Sequence, residues 1–563
     1  MLTKIKNLKR FWNILSDRER IWFAIFVVFV LFSASFLIGS FYRSKTITVP
    51  AFGGTYIEAV SESPHNINPI LSTNDADRDL SKLIFSSLLE YNPIGELAPG
   101  LAASYAVSKD GKTYTIKLKD GIKWHDGKPF TSNDVIFTIN AVQNPEYNSP
   151  LRTSWQGVKA EAPDKSTVVI TLKTPYAAFT ENLAMLGILP EHIWIKVLPQ
   201  NFPLADFNLK PIGTGPYRFV KLQKDSLGKI ISINLAAYSG YHNGSPMIEN
   251  IMLKFYSSEE EAVSAYNRKE ANGILLQTAQ NKSQVRGLSN SQFFSLSSLR
   301  IYGLFFNTEH KLLGADYVRK ALNYAVNRQE ILEKLLLNEG KIAIGPIPPT
   351  LPGSSPNLNG YSYDPQKTAE ILEKNKWIKN DNGFYEKKIG KDKEATPLKF
   401  TITTIKSMQL VATLIRDYLK NVDVDVDLKI IPIGELQKNF RDKSYDAILI
   451  GESYTAAADP YVFWHGAAIK EQGLNLALYN NIKANKILED VRQIADPTKR
   501  AIKLEEFQKL VLNDAPAIFL YSPNYIYAMN SAVKNVNFGN LVIPSNRFSK
   551  VNDWYIETER TWK

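Results

Sequence analysis

Residues 101–135 alternate apolar and polar positions around three Asp-Gly pairs, Asp110-Gly111, Asp120-Gly121 and Asp126-Gly127. Asp-Gly supports the tight turns that join antiparallel strands. Tyr114, Ile116 and Leu118 alternate with Thr113, Thr115, Lys117 and Lys119, a period of two that predicts a strand with one buried face. After the third pair, Thr131 and Asp134 have capping-box spacing ahead of VIFTINAVQ, which predicts a helix start. Further strand-like runs are 55–60, 167–172, 230–235, 251–255, 398–403 and 447–450. Helical runs are 76–89, 316–338, 365–375, 408–421 and 499–513. Each has apolar residues three and four apart, such as Leu332, Leu335 and Leu336. Interleaved strands and helices predict an α/β or α+β architecture.

Residues 21–41, IWFAIFVVFVLFSASFLIGSF, carry no charge and no proline. As a helix this run would be roughly 30 Å long, the thickness of a bilayer's hydrocarbon core. Lys4, Lys6, Lys9, Arg10, Arg18 and Arg20 precede it against Asp17 and Glu19, and only Arg43 and Lys45 follow closely. The positive-inside rule then expects residues 1–20 in the cytoplasm and the chain beyond about residue 42 outside. A cleaved signal peptide has a shorter apolar core of about 7–15 residues. Small residues at Ser33-Ala34-Ser35 and Gly39-Ser40 keep that alternative open, but the length favours an uncleaved anchor. The lead-in KRFWNILSDRER reads as an amphipathic flank with Trp12 near the headgroups, or as a plain charged flank. Residues 42–52 read as a tether.

The chain has 563 residues, 44% hydrophobic and 22% charged, an ordinary globular composition. It has no cysteine, which excludes disulfides, thiolate nucleophiles, Cys-ligated metals and a lipid anchor on cysteine. The net charge of +11 is spread along the chain, with no basic block beyond the first 20 residues to suggest nucleic acid. None of the six histidines (His65, His125, His192, His242, His310 and His465) stands at metal-ligand spacing from another, so no metal is expected. Gly213-Thr214-Gly215 is followed by Pro216 and does not continue into a dinucleotide fingerprint. Neither a Walker A nor a G-x-S-x-G sequence occurs. No cofactor and no catalytic residues are expected.

The wording of 101–135 resembles the signature of the family 5 extracellular solute-binding proteins, the dipeptide and oligopeptide binders of ABC importers. PIGTGPYRFVKL at 211–222, FNTEHKLLGADYVRKALNYAVNRQEIL at 306–332, YDPQKTAEILEKNKW at 363–377 and ADPTKRAIKLEEFQKLVLNDAPAIFLY at 495–521 are similar to its later motifs, in family order. The resemblance implies a two-lobed periplasmic-binding-protein type II fold with an extra subdomain, here preceded by one transmembrane helix. It places lobe I at 53–80, 211–298 and 522–563, the extra subdomain at 81–210 and lobe II at 299–521. Hinge strands are expected near 300–307 and 517–521. It implies a small solute, peptide first, bound between the lobes and passed to permease subunits with their ATPase. An anchored receptor or scaffold using the same fold without transport is the alternative.

The ligand question turns on YDAILIGESYTAAADPYVFWHG, 445–466. Peptide binders of the family carry an aspartate three residues before an Asp-Pro or Glu-Pro pair, facing the peptide's ammonium. Here the pair is Asp459-Pro460 and that position is Ala456, so the chain departs from the pattern. Glu452, at the end of the preceding strand, is the expected substitute, because a buried ammonium needs a close counter-charge. Tyr454, Trp464, Tyr302 and Trp155 are candidate ligand-stacking aromatics, with core packing as the alternative for each. Asp459 is a further candidate or a helix cap. Arg319 is expected to pair with a carboxylate, and His125 to be structural.

The topology is testable. The mature protein is expected to retain residues 1–42 and to stay with membranes through a carbonate wash. An N-terminus mapped between about residues 35 and 45, the window a signal peptidase would cut, would identify a cleaved secretory protein.

Overall fold

The computed structural model describes residues 15–92, 96–277, 279–285, 290–351, 353–390, 394–454, 459–470, 473–494, 496–538, 541 and 543–563. Lys9 to Trp12 of the basic flank and Ala456 lie outside them. The alternating stretch forms the strand Thr113–Leu118, between Ala102–Val107 and Thr167–Thr171, with Lys159–Asp164 completing a four-stranded antiparallel sheet. Tyr114, Ile116 and Leu118 are its buried set. Gly111 turns the chain at φ +68°, where glycine carries no Cβ penalty. The helix Ser132–Gln143 starts on its capping box, with Thr131 N–H donating to Asp134 at 2.8 Å.

The main sheet has twelve strands and two halves. Its spatial order is Asp425–Ile430, Lys399–Thr404, Ala447–Ser453, Arg300–Phe306, Ala517–Asn530, Gly273–Leu276, Thr55–Val60, Asn250–Phe255, Ile230–Ala237 and Tyr217–Lys224. Ser291–Ser297 and Gly340–Ile342 also pair with Ala517–Asn530. Parallel pairs sit within each half: Thr55–Val60 beside Asn250–Phe255, and Lys399–Thr404 beside Asp425–Ile430. Ala517–Asn530 belongs to both halves. Its early residues pair with Arg300–Phe306, its later ones with Ser291–Ser297. The chain therefore crosses between lobes twice, at neighbouring places.

Two helical expectations change in detail. The run 316–338 splits into Asp316–Tyr324 and Arg328–Leu336. Asn327 caps the second helix by accepting from Glu330 N–H, while the buried Arg328 donates to the carbonyls of Asn323, Val326, Tyr361 and Phe519. The run 76–89 ends as a helix at Ile84. There the Gly213-Thr214-Gly215 turn packs on the helix end, and Gly215 N–H donates to the Ile84 carbonyl at 2.8 Å. A Cβ on Gly213 would stand 1.9 Å from that oxygen, so the glycine permits a backbone contact here.

The apolar run lies in one helix, Asp17–Lys45, with no buried residue. The expected tether is instead ordered structure. The helix continues to Lys45, and Thr46–Pro50 pairs antiparallel with Thr558–Trp562. The β-branched residues of TITVP find a partner strand, which satisfies backbone groups that a tether would leave to water.

One charged group lies deep in lobe I. Arg547, 1% exposed, donates to Glu58 at 2.9 and 3.2 Å and to both oxygens of Asp79. Tyr527 Oη donates to Glu58 at 2.6 Å. Burial works against the guanidinium's charge, but Asp79 and Glu58 outweigh it and hold its pKa well above the ordinary value. Replacing Arg547 with Met leaves two buried carboxylates without their cation. The expected loss is about 3–5 kcal/mol, read by denaturant unfolding of the solubilised protein; an unchanged midpoint would show the triad to be dispensable.

Candidate functional site: the floor between the lobes

The crossing strands carry a polar and aromatic face. Antiparallel pairing sets Tyr302 opposite Tyr521 and Arg300 opposite Ser453, and the two-residue period adds Tyr525 to that face. The Tyr302 and Tyr521 rings stack at 5.2 Å and 26°. Gly451 stands opposite Tyr302, and a Cβ there would meet the ring at 2.9 Å. Arg300 Nε donates to Ser453 Oγ at 3.1 Å and Nη1 to Tyr302 Oη at 3.3 Å. Burial opposes the charge of Arg300, yet Tyr525, Tyr302 and Asp75 raise its pKa above the usual value. Asp75 belongs to the other lobe, in the first turn of the helix Asp75–Ile84, and pairs with Arg78 at 3.1 Å. A half-buried guanidinium thus faces both lobes.

A separate cavity of about 90 Å³ is lined by Arg78, Lys82, Ser81, Met185, Ser545 and Asn546. Met185, with Ala184 and Ile543, also packs against the core of lobe II, so the cavity adjoins the lobe junction. Burial lowers the pKa of Lys82. Its lining suits an anionic or polar group of small size.

The expected site residues separate into four places. Tyr302 is on the floor. Glu452, Tyr454 and Trp464 turn into the core of lobe II. Glu452 stands opposite Ile301, 2% exposed, and neither oxygen has a hydrogen-bond partner among the described residues. The Tyr454 hydroxyl donates to the Pro346 carbonyl at 2.6 Å and accepts from Trp464 Nε1 at 3.2 Å. Trp464 packs on Phe305 and Phe519. Strand alternation explains the turn inward: Ser453, not Glu452, shares the face of Arg300. Trp155 packs on Phe179 in the core beneath the four-stranded sheet, where its apolar area is removed from water.

Asp459 has another job. It caps Tyr461 N–H at 3.1 Å, as expected, but its Oδ2 also accepts from Arg492 at 2.8 and 2.9 Å. The same oxygen accepts from the Tyr176 hydroxyl at 3.1 Å. Tyr176 comes from the region of the four-stranded sheet, and its neighbour Ala177 N–H donates to the Arg492 carbonyl at 2.8 Å. The guanidinium lies 3.7 Å over the Tyr461 ring. Asp459 therefore ties two parts of the molecule together. Arg319 departs from expectation: it donates to the carbonyls of Asp514, Ala515, Leu313 and Gly314, satisfying a helix C-terminus that has no further amides. His125 is half-buried between Gly213 N–H and the Gly215 carbonyl, and desolvation lowers its pKa to about 4. Among the described residues no cluster of His, Asp and Glu is placed to hold a metal.

A model of the bacterial extracellular solute-binding proteins, family 5 (its middle part), matches residues 96–472. The chain belongs to that family. The oligopeptide-binding protein AppA of Bacillus subtilis is 26% identical over 529 residues, 91% of this chain and 93% of its own. Among solved structures, B. subtilis AppA in complex with a nonapeptide covers 90% of this chain and 100% of its own, with TM-score 0.74 at 24% identity. NikZ of Campylobacter jejuni in complex with Ni(L-His) covers 89% of this chain and 99% of its own, with TM-score 0.73 at 26% identity. The fold is the two-lobed type II binding-protein fold of family 5, with an extra subdomain. The chain also carries an N-terminal helix, Asp17–Lys45, long and apolar enough to cross a membrane.

Arg300, Tyr525, Tyr176 and Arg492 were not named as site residues from the sequence, and Asp459 was named only as a ligand candidate or a helix cap. Tyr176 and Asp459 stand 283 positions apart, and no local pattern joins them.

The buried Glu452 gives a pH prediction. Burial pushes its carboxyl well above the usual range, so the folded chain holds this proton more tightly than the unfolded one. Its stability contribution is complete below about pH 4.3, the unfolded carboxyl value, and is lost as pH rises toward the folded value. Glu452→Gln is expected to match wild type near pH 4 and to be the more stable protein by about pH 8, measured as a Tm series. A Tm difference that does not vary with pH would show that Glu452 is ionised in the fold.

Proposed function

We propose that this protein is the binding component of a peptide-type ABC importer, held in the cell membrane by its N-terminal helix. Residues 1–20 lie in the cytoplasm and the two lobes lie outside. It takes a peptide between the lobes, closes over it and presents it to the permease, whose ATPase drives transport. Its work is binding and release, with no covalent step. The observation that carries this reading is the double crossing of the chain between lobes, with the half-buried Arg300, Tyr302 and Tyr525 at the crossing. Two short adjacent crossings form a hinge, and a ligand that touches both lobes favours the closed state by differential affinity.

The lobes are those the family resemblance implied: lobe I at 53–80, 211–298 and 522–563, the extra subdomain at 81–210, and lobe II at 299–521. Tyr302, with Arg300, Tyr521 and Tyr525, contacts the ligand. Asp459 acts as a latch that holds the extra subdomain against lobe II. Glu452 lies buried in the cleft wall, and Tyr454 and Trp464 pack behind it. The name of the B. subtilis relative supports a peptide as the solute.

Calorimetry with free peptides, N-acetylated peptides, oligosaccharides and nickel–histidine tests the solute class. Free peptides are expected to bind and to reduce the radius of gyration of the two lobes in small-angle scattering. Arg300→Ala should weaken them at least tenfold, since removing one partner of a desolvated charged contact costs about 2–5 kcal/mol. Binding of sugars or nickel–histidine alone would replace the peptide assignment. An unchanged radius at saturation would refute hinge closure.

A further inference from the structure

The end of the N-terminal helix carries a structure that solute binding does not use. Thr46–Pro50 continues directly from the helix and pairs with Thr558–Trp562, with Thr46 opposite Trp562 and Pro50 opposite Thr558. Arg560 Nη1 donates to Thr46 Oγ1 at 2.8 Å, and Lys563 N–H donates to the Lys45 carbonyl at 3.0 Å. The antiparallel register therefore brings the last strand back to the helix end. Trp562 meets Tyr42 there, edge to face, at 5.7 Å and 87°. Both rings are exposed, Trp562 at 63%.

The uncharged run ends at Phe41, one residue before Tyr42. The aromatic pair thus stands where hydrocarbon would give way to headgroups, the level that Trp and Tyr favour because one end of each ring system is polar. The charges are graded in the same sense. Arg43, Lys45, Arg560 and Lys563 cluster at the helix end, and all four are exposed. The acids of the ribbon lie farther away: Glu559 is opposite Val49, and Glu557 accepts from Ala51 N–H. At about 3.4 Å per residue, Glu559 is roughly 10 Å beyond Trp562 along the strand.

We propose that this ribbon is a membrane-surface site, with Trp562 and Tyr42 lying among the headgroups and the four cations contacting anionic lipid phosphates. The proposal rests on the anchored reading above and extends it. The domain then meets the bilayer through two chain segments, a helix that spans it and a strand that lies on it. Exposed aromatics and cations so placed fit a wet, anionic interface.

The absence of native cysteine makes single nitroxide labels clean probes in the full chain. Labels at Phe32→Cys, Thr561→Cys, Thr558→Cys and the exposed Leu204→Cys are compared in nanodiscs of phosphatidylcholine with phosphatidylglycerol. Accessibility to oxygen and to a water-soluble nickel chelate gives the depth of each. Phe32 is expected in hydrocarbon, Thr561 at headgroup depth, and Thr558 nearer to the aqueous reading of Leu204. Adding Trp562→Ser, or omitting phosphatidylglycerol, should move the Thr561 label toward water. Thr48→Cys on the partner strand repeats the measurement should a label at Thr561 loosen the pairing. A Thr561 label as aqueous as Leu204, with Phe32 in lipid, overturns the surface site and leaves the anchor standing. A Thr561 label indifferent to Trp562→Ser or to anionic lipid also overturns it. An aqueous Phe32 label overturns the anchor, and the surface site with it.

Discussion

Lobe I is assembled from pieces that are far apart in the chain, and Arg547 holds them together. Its guanidinium meets Glu58 on the strand Thr55–Val60 and Asp79 on the helix Asp75–Ile84. Tyr527, from Ala517–Asn530, and Tyr56 complete the group on Glu58. A charge buried this deeply is tolerated only when its hydrogen bonds are made, so the triad accepts little variation in geometry. Gly273 shows how tightly it is packed: a Cβ there would lie 1.8 Å from the Tyr56 hydroxyl. With the triad formed, the later half of Ala517–Asn530 is fixed in lobe I, and the earlier half reaches lobe II in a defined direction.

The interlobe floor follows from that direction. Strand pairing puts Tyr521 against Tyr302, and the period of two decides which neighbours share the face. Arg300 and Ser453 fall on it; Glu452 falls on the other side, among Tyr454 and Ile301. One residue of register thus separates a group on the interlobe floor from a buried one. The contacts at Asp459 are made with Tyr176 and Arg492, a different set of residues from those of the floor.

Much of the fold was legible because its signals are local. The alternation at 113–118, the capping box at Thr131 and the helical runs 365–375 and 499–513 each rest on signals within a few residues, and each forms close to where it was read. The helix at 316–338 misled because its apolar spacing continues through Ala325 and Val326, whereas the break is made by Arg328 reaching for distant carbonyls. The site was less legible for the same reason. Trp155 and Trp464 are as suited to a core as to a ligand, and only tertiary packing chooses. Glu452 was placed at the right strand end but on the wrong face, since a short apolar run before it hides the alternation. The pairing of 46–50 with 558–562 joins segments about as far apart as the chain allows, with no pattern in either to announce the other.

The triad also bears on how the protein is made. Glu58 and Arg547 are 489 positions apart. As the chain is synthesised, Glu58 and Asp79 emerge early, and the cation that lets them be buried comes almost last. Lobe II, contained within a single stretch, has all its strands except the crossing one well before that. Closing so long a loop is entropically slow more than it is costly. Lobe I therefore waits, its carboxylates still hydrated, as an open half-sheet beside a largely assembled neighbour. The order of assembly runs against the order of the chain: the lobe whose first strand appears first is the lobe that finishes last.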